Sequence, residues 1–497
     1  MKDQWTGKAY ALSSVQSYQV HSEWEWNWEP QTRFLIVENE NSRNHEGLQQ
    51  TLELLQEEMI DLKMNNQGGM PILQGNLLAA EKGDIVLELV AAEDDDNLEA
   101  YRIEAGGYVH IQSPSIRGLL YGIRTLMVKT RQNKSILYGI IVDFPVMKER
   151  ALHIDIGRKY YSCKWIKEKI REMSYLRLNT LQLHFSENEG FTFVSERHPE
   201  AMSEKHLSMK EILEIKEEAR RYHITIIPSL DSPGHLAHAL RTHPEWILKD
   251  REGHAAKGAL DITNPDARAF VTDLLDEYAE LFHDSPYFHI GGDEFIDFET
   301  FGTYPQLAQF ARDELGIPDG EGIDAYIAYI NEIADRLEKK GFVVRAWNDG
   351  LYRLNQVQKV KLKSSIQITY WTKWHANMAP VQTLLDHGHE VINYNDGFFY
   401  YVLGENAGYK YPVAEHIYDL WHPGLFSRID VPKQEYLRPY PRQLAGCSFA
   451  IWSDTPSAQT EDEVSEGIRD PLLAMAELSW LGKKRHESFS DVKRDSV

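Results

Sequence analysis

The chain has 497 residues, 42% hydrophobic, 26% charged and 11% aromatic, a globular composition that excludes collagen-like, low-complexity and disordered readings. Acidic residues outnumber basic ones by 76 to 53, and a formal charge of −23 repels phosphate backbones and anionic lipid heads, so neither nucleic acid nor membrane is an expected partner. Two cysteines, Cys163 and Cys447, are too few for a disulfide framework or a Cys-rich metal ribbon and suit a reducing compartment.

The opening segment MKDQWTGKAYALSSVQSYQV has no apolar run after its first lysine and no small-residue cleavage pattern, and no segment of the chain is apolar for eighteen residues. The expectation is a cytoplasmic, bacterial-style enzyme or binding protein. Up to about residue 145, strand-like runs (RFLIV at 33–37, DIVLELV at 84–90, then YRIEA and YVHIQ) alternate with helical stretches near 45–62 and 115–130. Residues 1–145 are therefore predicted to form a small α+β domain. Within it, RGLLYGIRTLMV from Arg117 to Val128 spaces its apolar residues three and four apart, as a helix packed on a sheet requires. IIVDFP, ending at Pro145, reads as a strand closed by a stiff turn and marks the boundary.

Beyond Pro145 the pattern becomes apolar strand, polar strand end, amphipathic helix, repeated. Eight strands are predicted, at 151–156, 180–185, 224–230, 287–292, 343–347, 366–371, 390–395 and 447–452. Eight β-α units over residues 146–497 predict a (β/α)8 barrel, an α/β fold whose chemistry belongs at the carboxyl ends of the strands.

The fourth strand runs into Gly291, Gly292, Asp293 and Glu294, so two adjacent carboxylates are expected at the barrel mouth. Paired carboxylates split their pKa values: burial and neighbouring charge raise one, which suits a proton donor, while the other stays ionised. An Asp-Glu helix start would give the same residues. The other strand ends favour chemistry: Arg150 and Asp155, His184 and Glu187, Asp231 and His235, Trp347, Trp371 and Trp374, Tyr400 and Tyr401, Trp452 and Asp454. Indole faces pack on the C–H face of a pyranose, and carboxylates and arginine bond its hydroxyls, so the combination suits a sugar. His235 and His238 could share a helix face, yet no HExxH or other three-ligand zinc set occurs, nor a G-x-S-x-G nucleophile elbow. No metal and no cofactor are expected.

At HIGGDEF, His289 to Phe295, the chain closely resembles glycoside hydrolase family 20, the β-N-acetylhexosaminidases. The stretch Arg150–Asp155–Arg158 resembles that family's first barrel strand, LHFSENEG its second, PSLDSPGH its third and AIWSD its eighth; RGLLYGIRTL is similar to the last helix of its N-terminal domain. The resemblance implies that Glu294 is the general acid and base and that Asp293 orients the substrate's 2-acetamido group, whose oxygen attacks the anomeric carbon in place of an enzyme nucleophile. It also implies a relay from Glu187 through His235 to the acid. Arg150 should hold hydroxyls 3 and 4, His184 should lie among the substrate-binding residues, Trp347, Trp371 and Trp452 should wall the pocket, Tyr400 or Tyr401 should bond the acetamido oxygen, and Asp454 should contact the outer hydroxyls.

Asp454 stands where the family usually has Glu, and the chain departs from the family's pattern in three further places. Its second strand ends Glu187-Asn188-Glu189-Gly190-Phe191 where Asp-Asp-Gln-Gly-Trp is common, Ser229 replaces a Glu before DSPGH, and YYVL replaces a Tyr-Leu-Asp. The expected activity is exo-hydrolysis of terminal β-linked GlcNAc or GalNAc from an oligosaccharide or glycoconjugate. Its competitors are a catalytically silent carbohydrate-binding barrel and, more remotely, a retaining glycosidase using Glu187 as nucleophile.

Overall fold

The computed structural model describes residues 10–41, 45–61, 69–92, 97–131, 133–427 and 434–496. The first nine residues, over which part of the leader reading ran, lie outside the described set, as does residue 62 at the end of the predicted 45–62 helix.

A seven-stranded mixed sheet forms the N-terminal part, in the order 17–27, 135–143, 101–105, 109–113, 85–89, 34–37, 72–75. Helix Ile116–Thr130 lies on it, its Ser115 N-cap accepting from the Gly118 N–H and its Leu119, Leu120, Ile123 and Leu126 buried. Two strands go beyond the sequence expectation. Ser17–Asn27 is a largely exposed edge strand with a register shift, so it lacks a clean apolar alternation, and Ile72–Gly75 is only four residues long.

The sheet's last strand ends at Asp143 and the first barrel strand begins at Glu149. All eight predicted barrel strands are present, at 149–155, 180–184, 225–232, 287–291, 343–347, 367–370, 391–393 and 444–452. They pair in parallel in chain order, and the eighth closes the ring against both the seventh and the first. Several helix starts are capped by side chains: Ser162 before Cys163–Tyr175, and capping boxes at Ser208 with Glu211 and Thr460 with Glu463. A ninth, short strand, Tyr400–Val402, pairs alongside the carboxyl end of the eighth, placing Tyr400 beside Ala450 and Val402 beside Trp452.

The N-terminal sheet docks under the barrel through buried polar contacts. Arg177 bonds Asp143 at 2.8 Å, Trp480 donates to the other Asp143 oxygen at 2.9 Å, and Arg124 reaches Glu58 and Ser174. None of the described helices is long and apolar enough to cross a membrane.

Candidate active site

The loops after the third and fourth strands come together because glycines permit it. Gly291 and Gly292 have φ of +75° and +92°, and a Cβ on Gly291 would lie 2.6 Å from an Asp231 oxygen. Gly234 likewise passes so close that a Cβ there would meet the Asp293 carbonyl at 2.6 Å. His235 and Glu294 adopt the left-handed region at φ +58° and +42°, an uncommon conformation for side-chain-bearing residues.

This crossing sets up a chain of side chains. His235 Nδ1 lies 2.8 Å from Glu187 Oε2, and His235 Nε2 is 3.4 Å from both Asp293 Oδ2 and Glu294 Oε2. Glu187 is buried, and its second oxygen receives Arg158 Nη1 at 2.8 Å and faces His184 Nε2 at 3.1 Å. The extra methylene of Glu187 relative to Asp thus still reaches His235. Burial opposes charge on Glu187, but His235 and Arg158 hold its carboxyl well below the usual range. Burial also opposes charge on His235, while Glu187 and Asp293 lift it well above an ordinary imidazole. Beneath them burial pushes Asp231 up to about 8, and Asp231 and Glu187 lift His184 to about 9 against its own burial. Asp293 is buried, whereas the Glu294 side chain is 46% exposed and opens to the pocket mouth rather than being enclosed.

Above this chain sits a cavity of about 200 Å³ walled by Trp347, Trp371, Trp452, Tyr400 and Tyr409, with Arg158 and Asp454 at its polar side. Trp371 stacks in parallel with Tyr400 at 5.8 Å and 3°. Trp374, 43% exposed, continues the wall outward. Among the described residues, Asp293 Oδ1, Trp347 Nε1 and Trp452 Nε1, on three residues that line the cavity, are buried without a hydrogen-bond partner.

His184, Glu187 and Asp231 also approach within 4.8 Å of one another, a spacing a cation could use. The Arg158 guanidinium on Glu187 opposes a second cation there, and the Glu187 oxygens are already engaged. The donor set fits an internal ion-pair network better than a metal.

Three expected ligand contacts are corrected. Arg150 is the second residue of its strand, roughly 17 Å of extended chain (about 3.3 Å per residue) from the strand's carboxyl end. It is fully buried at the amino end, donating to Glu99, to the Arg177 and Met147 carbonyls, and lying over the Trp480 ring. His184 is fully buried under Glu187, facing Ser229 at 3.2 Å, and does not line the cavity. Of the adjacent tyrosines, strand alternation sends Tyr400 into the cavity and Tyr401 outward, where it stacks on Tyr411 and accepts from Gln459 at 3.0 Å.

Residues 148–483 match the family model described as glycosyl hydrolase family 20, catalytic domain. The chain belongs to glycosyl hydrolase family 20. Among curated relatives, it is 29% identical over 381 residues to a lacto-N-biosidase from Bifidobacterium bifidum, covering 76% of this chain and 32% of that protein. It is 25% identical over 370 residues to β-hexosaminidase subunit A2 of Dictyostelium discoideum, covering 71% and 64% respectively. The chain thus spans less than two thirds of either relative. The fold is that of a solved β-N-acetylhexosaminidase from Bacteroides fragilis, with a TM-score of 0.75 at 20% identity, covering 97% of this chain and 92% of the other. A Vibrio harveyi exo-β-N-acetylglucosaminidase follows at 0.73 and 18%, covering 97% and 75%.

Within this family 20 barrel, the arginine at the cavity is Arg158, which stands after the first strand and bonds Asp155 at 3.0 Å as well as Glu187. Its signal in the sequence was its place three residues beyond the strand-ending Asp155, past the carboxyl end where chemistry belongs. Asp349 carried less signal. It follows Trp347 and Asn348 at the end of the fifth strand, is buried, and accepts from the Glu294 backbone N–H. Val402 lines the cavity where the family's Tyr-Leu-Asp would bring a carboxylate.

Proposed function

We propose that this chain is an exo-acting β-N-acetylhexosaminidase that releases terminal β-linked GlcNAc or GalNAc with retention, through substrate-assisted catalysis. The observation that carries this reading is the Asp293–Glu294 pair meeting His235 beneath a cavity with three indole walls. With the acetamido group against Asp293, its oxygen attacks the anomeric carbon as the glycosidic C–O bond breaks, and Glu294 delivers its proton to the departing oxygen. The orphaned Asp293 Oδ1 accepts the acetamido N–H and offsets the positive charge of the oxazolinium ring. Tyr400, which burial keeps well above the usual phenol range and therefore protonated, donates toward the acetamido oxygen. Water then opens the ring, its proton passing to the Glu294 carboxylate.

The enzyme-nucleophile alternative is disfavoured by Glu187 itself. Its oxygens are taken by Arg158, His184, His235 and the Asn188 N–H, so it has no lone pair poised for an anomeric carbon. A silent binding barrel would not need a relay of four ionisable groups. Both cysteines are free and buried, which suits the reducing, cytoplasmic setting read from the sequence.

A second reading concerns the outer end of the sugar. Val402 removes a carboxylate there, Asp454 is one methylene shorter than the family's Glu, and a relative matching 76% of the chain is a lacto-N-biosidase. Those features support release of a disaccharide unit in place of a monosaccharide. The test is a panel of aryl β-glycosides of GlcNAc, GalNAc, glucose and galactose, with aryl lacto-N-bioside beside them. Turnover of GlcNAc or GalNAc alone supports the first reading, turnover of the lacto-N-bioside alone the second, and turnover of glucose would overturn substrate assistance.

A further inference from the structure

Asp349 is buried at the carboxyl end of the fifth strand, and each of its two carboxylate oxygens has a different partner. Oδ2 accepts the Glu294 backbone N–H at 3.0 Å, and Oδ1 accepts the Trp371 indole N–H at 3.2 Å. Glu294 is the residue whose backbone sits at φ +42°, a conformation that side-chain-bearing residues leave unless neighbours hold them. Trp371 is the wall that stacks on Tyr400.

The preceding residue completes the attachment. Asn348 accepts the Trp371 backbone N–H at 2.9 Å through Oδ1 and donates to the Thr372 carbonyl at 2.8 Å through Nδ2. Asn348 therefore fixes the sixth-strand end by its backbone, and Asp349 fixes the indole and ties it to the acid. Arg353, donating to the Asp349 carbonyl at 3.1 Å, anchors the turn that carries the carboxylate.

We propose that Asp349 is a positioning residue, a clamp that holds the backbone of Glu294 and the Trp371 wall in fixed relation so that the proton donor meets the departing oxygen. This rests on the hexosaminidase reading for its consequence in catalysis, but the clamp itself is a statement about the Glu294 amide. An asparagine at this position has one acceptor and one donor, and both partners here are N–H donors, so Asp349→Asn must lose one of the two bonds in either amide orientation.

Two measurements test it. Hydrogen exchange of the segment covering residues 287–298 needs no substrate: Asp349→Ala, which removes both acceptors, should exchange there about tenfold faster than wild type, with other barrel strands unchanged. Unchanged exchange overturns the clamp. In turnover, a displaced donor costs most where protonation matters, so kcat for a GlcNAc disaccharide should fall about 10–100-fold while a 2,4-dinitrophenyl glycoside loses little and KM stays within a few-fold. Equal losses on both substrates would mean general damage and overturn the positioning role. If the Ala variant does not fold, Asp349→Asn is read by the turnover criterion, since losing either bond separates the Glu294 backbone from the Trp371 wall. Wild-type protein inactive on every N-acetylhexosaminide would sink the hexosaminidase reading alone, because the exchange measurement still decides the clamp.

Discussion

Both ends of the barrel carry buried, paired charge, and they differ in what borders it. At the amino end, Arg345 meets Glu149 through two bonds of 2.7 and 2.6 Å, and Arg150 is matched by Glu99 and three main-chain carbonyls. Asn179 closes the cluster by donating to Glu99 and to the Lys148 carbonyl. At the carboxyl end, Arg158 and Glu187 are matched just as well, but Asp293 Oδ1 and two indole N–H groups are not. A buried polar atom without a partner costs free energy, and where its residue lines a cavity a ligand can complete it. Unmatched atoms occur in the scaffold too, at Arg117 Nε, Arg124 Nε, Glu58 Oε2 and both Glu477 oxygens, so what sets the site apart is that its unmatched atoms belong to residues lining a cavity.

The strongest test of that contrast is Glu294→Gln, which should lower turnover of a GlcNAc disaccharide by about 10²–10⁴-fold, the range of general acid-base contributions. An aryl glycoside with a good leaving group should lose less in the first step. Near wild-type disaccharide hydrolysis would remove Glu294 from the chemistry.

Next comes a matched pair of arginines. Arg158→Ala should reduce kcat/KM about 100-fold and also lower the melting temperature, since Arg158 faces the cavity and braces the buried carboxylates of Glu187 and Asp155. Arg150→Ala should leave kcat/KM of the folded fraction nearly intact but cost stability by about 1–3 kcal/mol, because it takes from the buried Glu99 one of its two arginines, leaving Arg117 and Asn179. Kinetics and thermal unfolding on both variants check this, and a kinetic effect from Arg150→Ala would contradict its placement.

Glu187→Gln should have a smaller effect, on the order of tenfold in kcat, with a diagnostic pH shift. Glu187 is the foremost group that lifts His235 against burial, so without its charge the imidazole loses its proton at lower pH and the basic limb of the pH–rate profile moves acidward. Glu187→Asp should keep the limb in place. An unmoved limb in Glu187→Gln would show that His235 does not report on the acid.

The barrel was legible because strand period and strand-end polarity repeat eight times, and the HIGGDEF segment identified the carboxylate pair. What misled was the resemblance of the Arg150–Asp155–Arg158 stretch: Arg150 precedes the predicted strand 151–156, so chain direction already placed it at the amino rim and Arg158 at the carboxyl one. Strand alternation separates Tyr400 from Tyr401 only once the register with the eighth strand is known. Asp349 was invisible for another reason. Its role is to accept a main-chain N–H across strands, and a contact with backbone leaves no mark in the partner's residue type.

The smallest expected effect concerns stability and pH at Asp349. Burial, then the neighbouring Asp293 charge, push its carboxyl from the ordinary 3.8 up to about 7. The folded protein therefore holds a proton that the unfolded chain has released over that interval, and where the native state binds more protons, stability falls as pH rises. The Asp349 contribution should decline from about pH 4 to pH 7 and level off above, where the carboxylate is ionised in both states. Asp231, pushed up to about 8, adds a slope of the same sign, and His184, lifted to about 9, loses its contribution as pH climbs from about 6.5 through 9. Asp349→Asn removes the first of these and leaves the other two. The difference in melting temperature, variant minus wild type, should therefore rise by a few degrees between pH 4 and 7 and change little from pH 7 to 9. A difference that stays flat below pH 7 would mean that Asp349 is ionised throughout, held so by the two N–H groups it accepts, and the clamp would then keep its strength in acid.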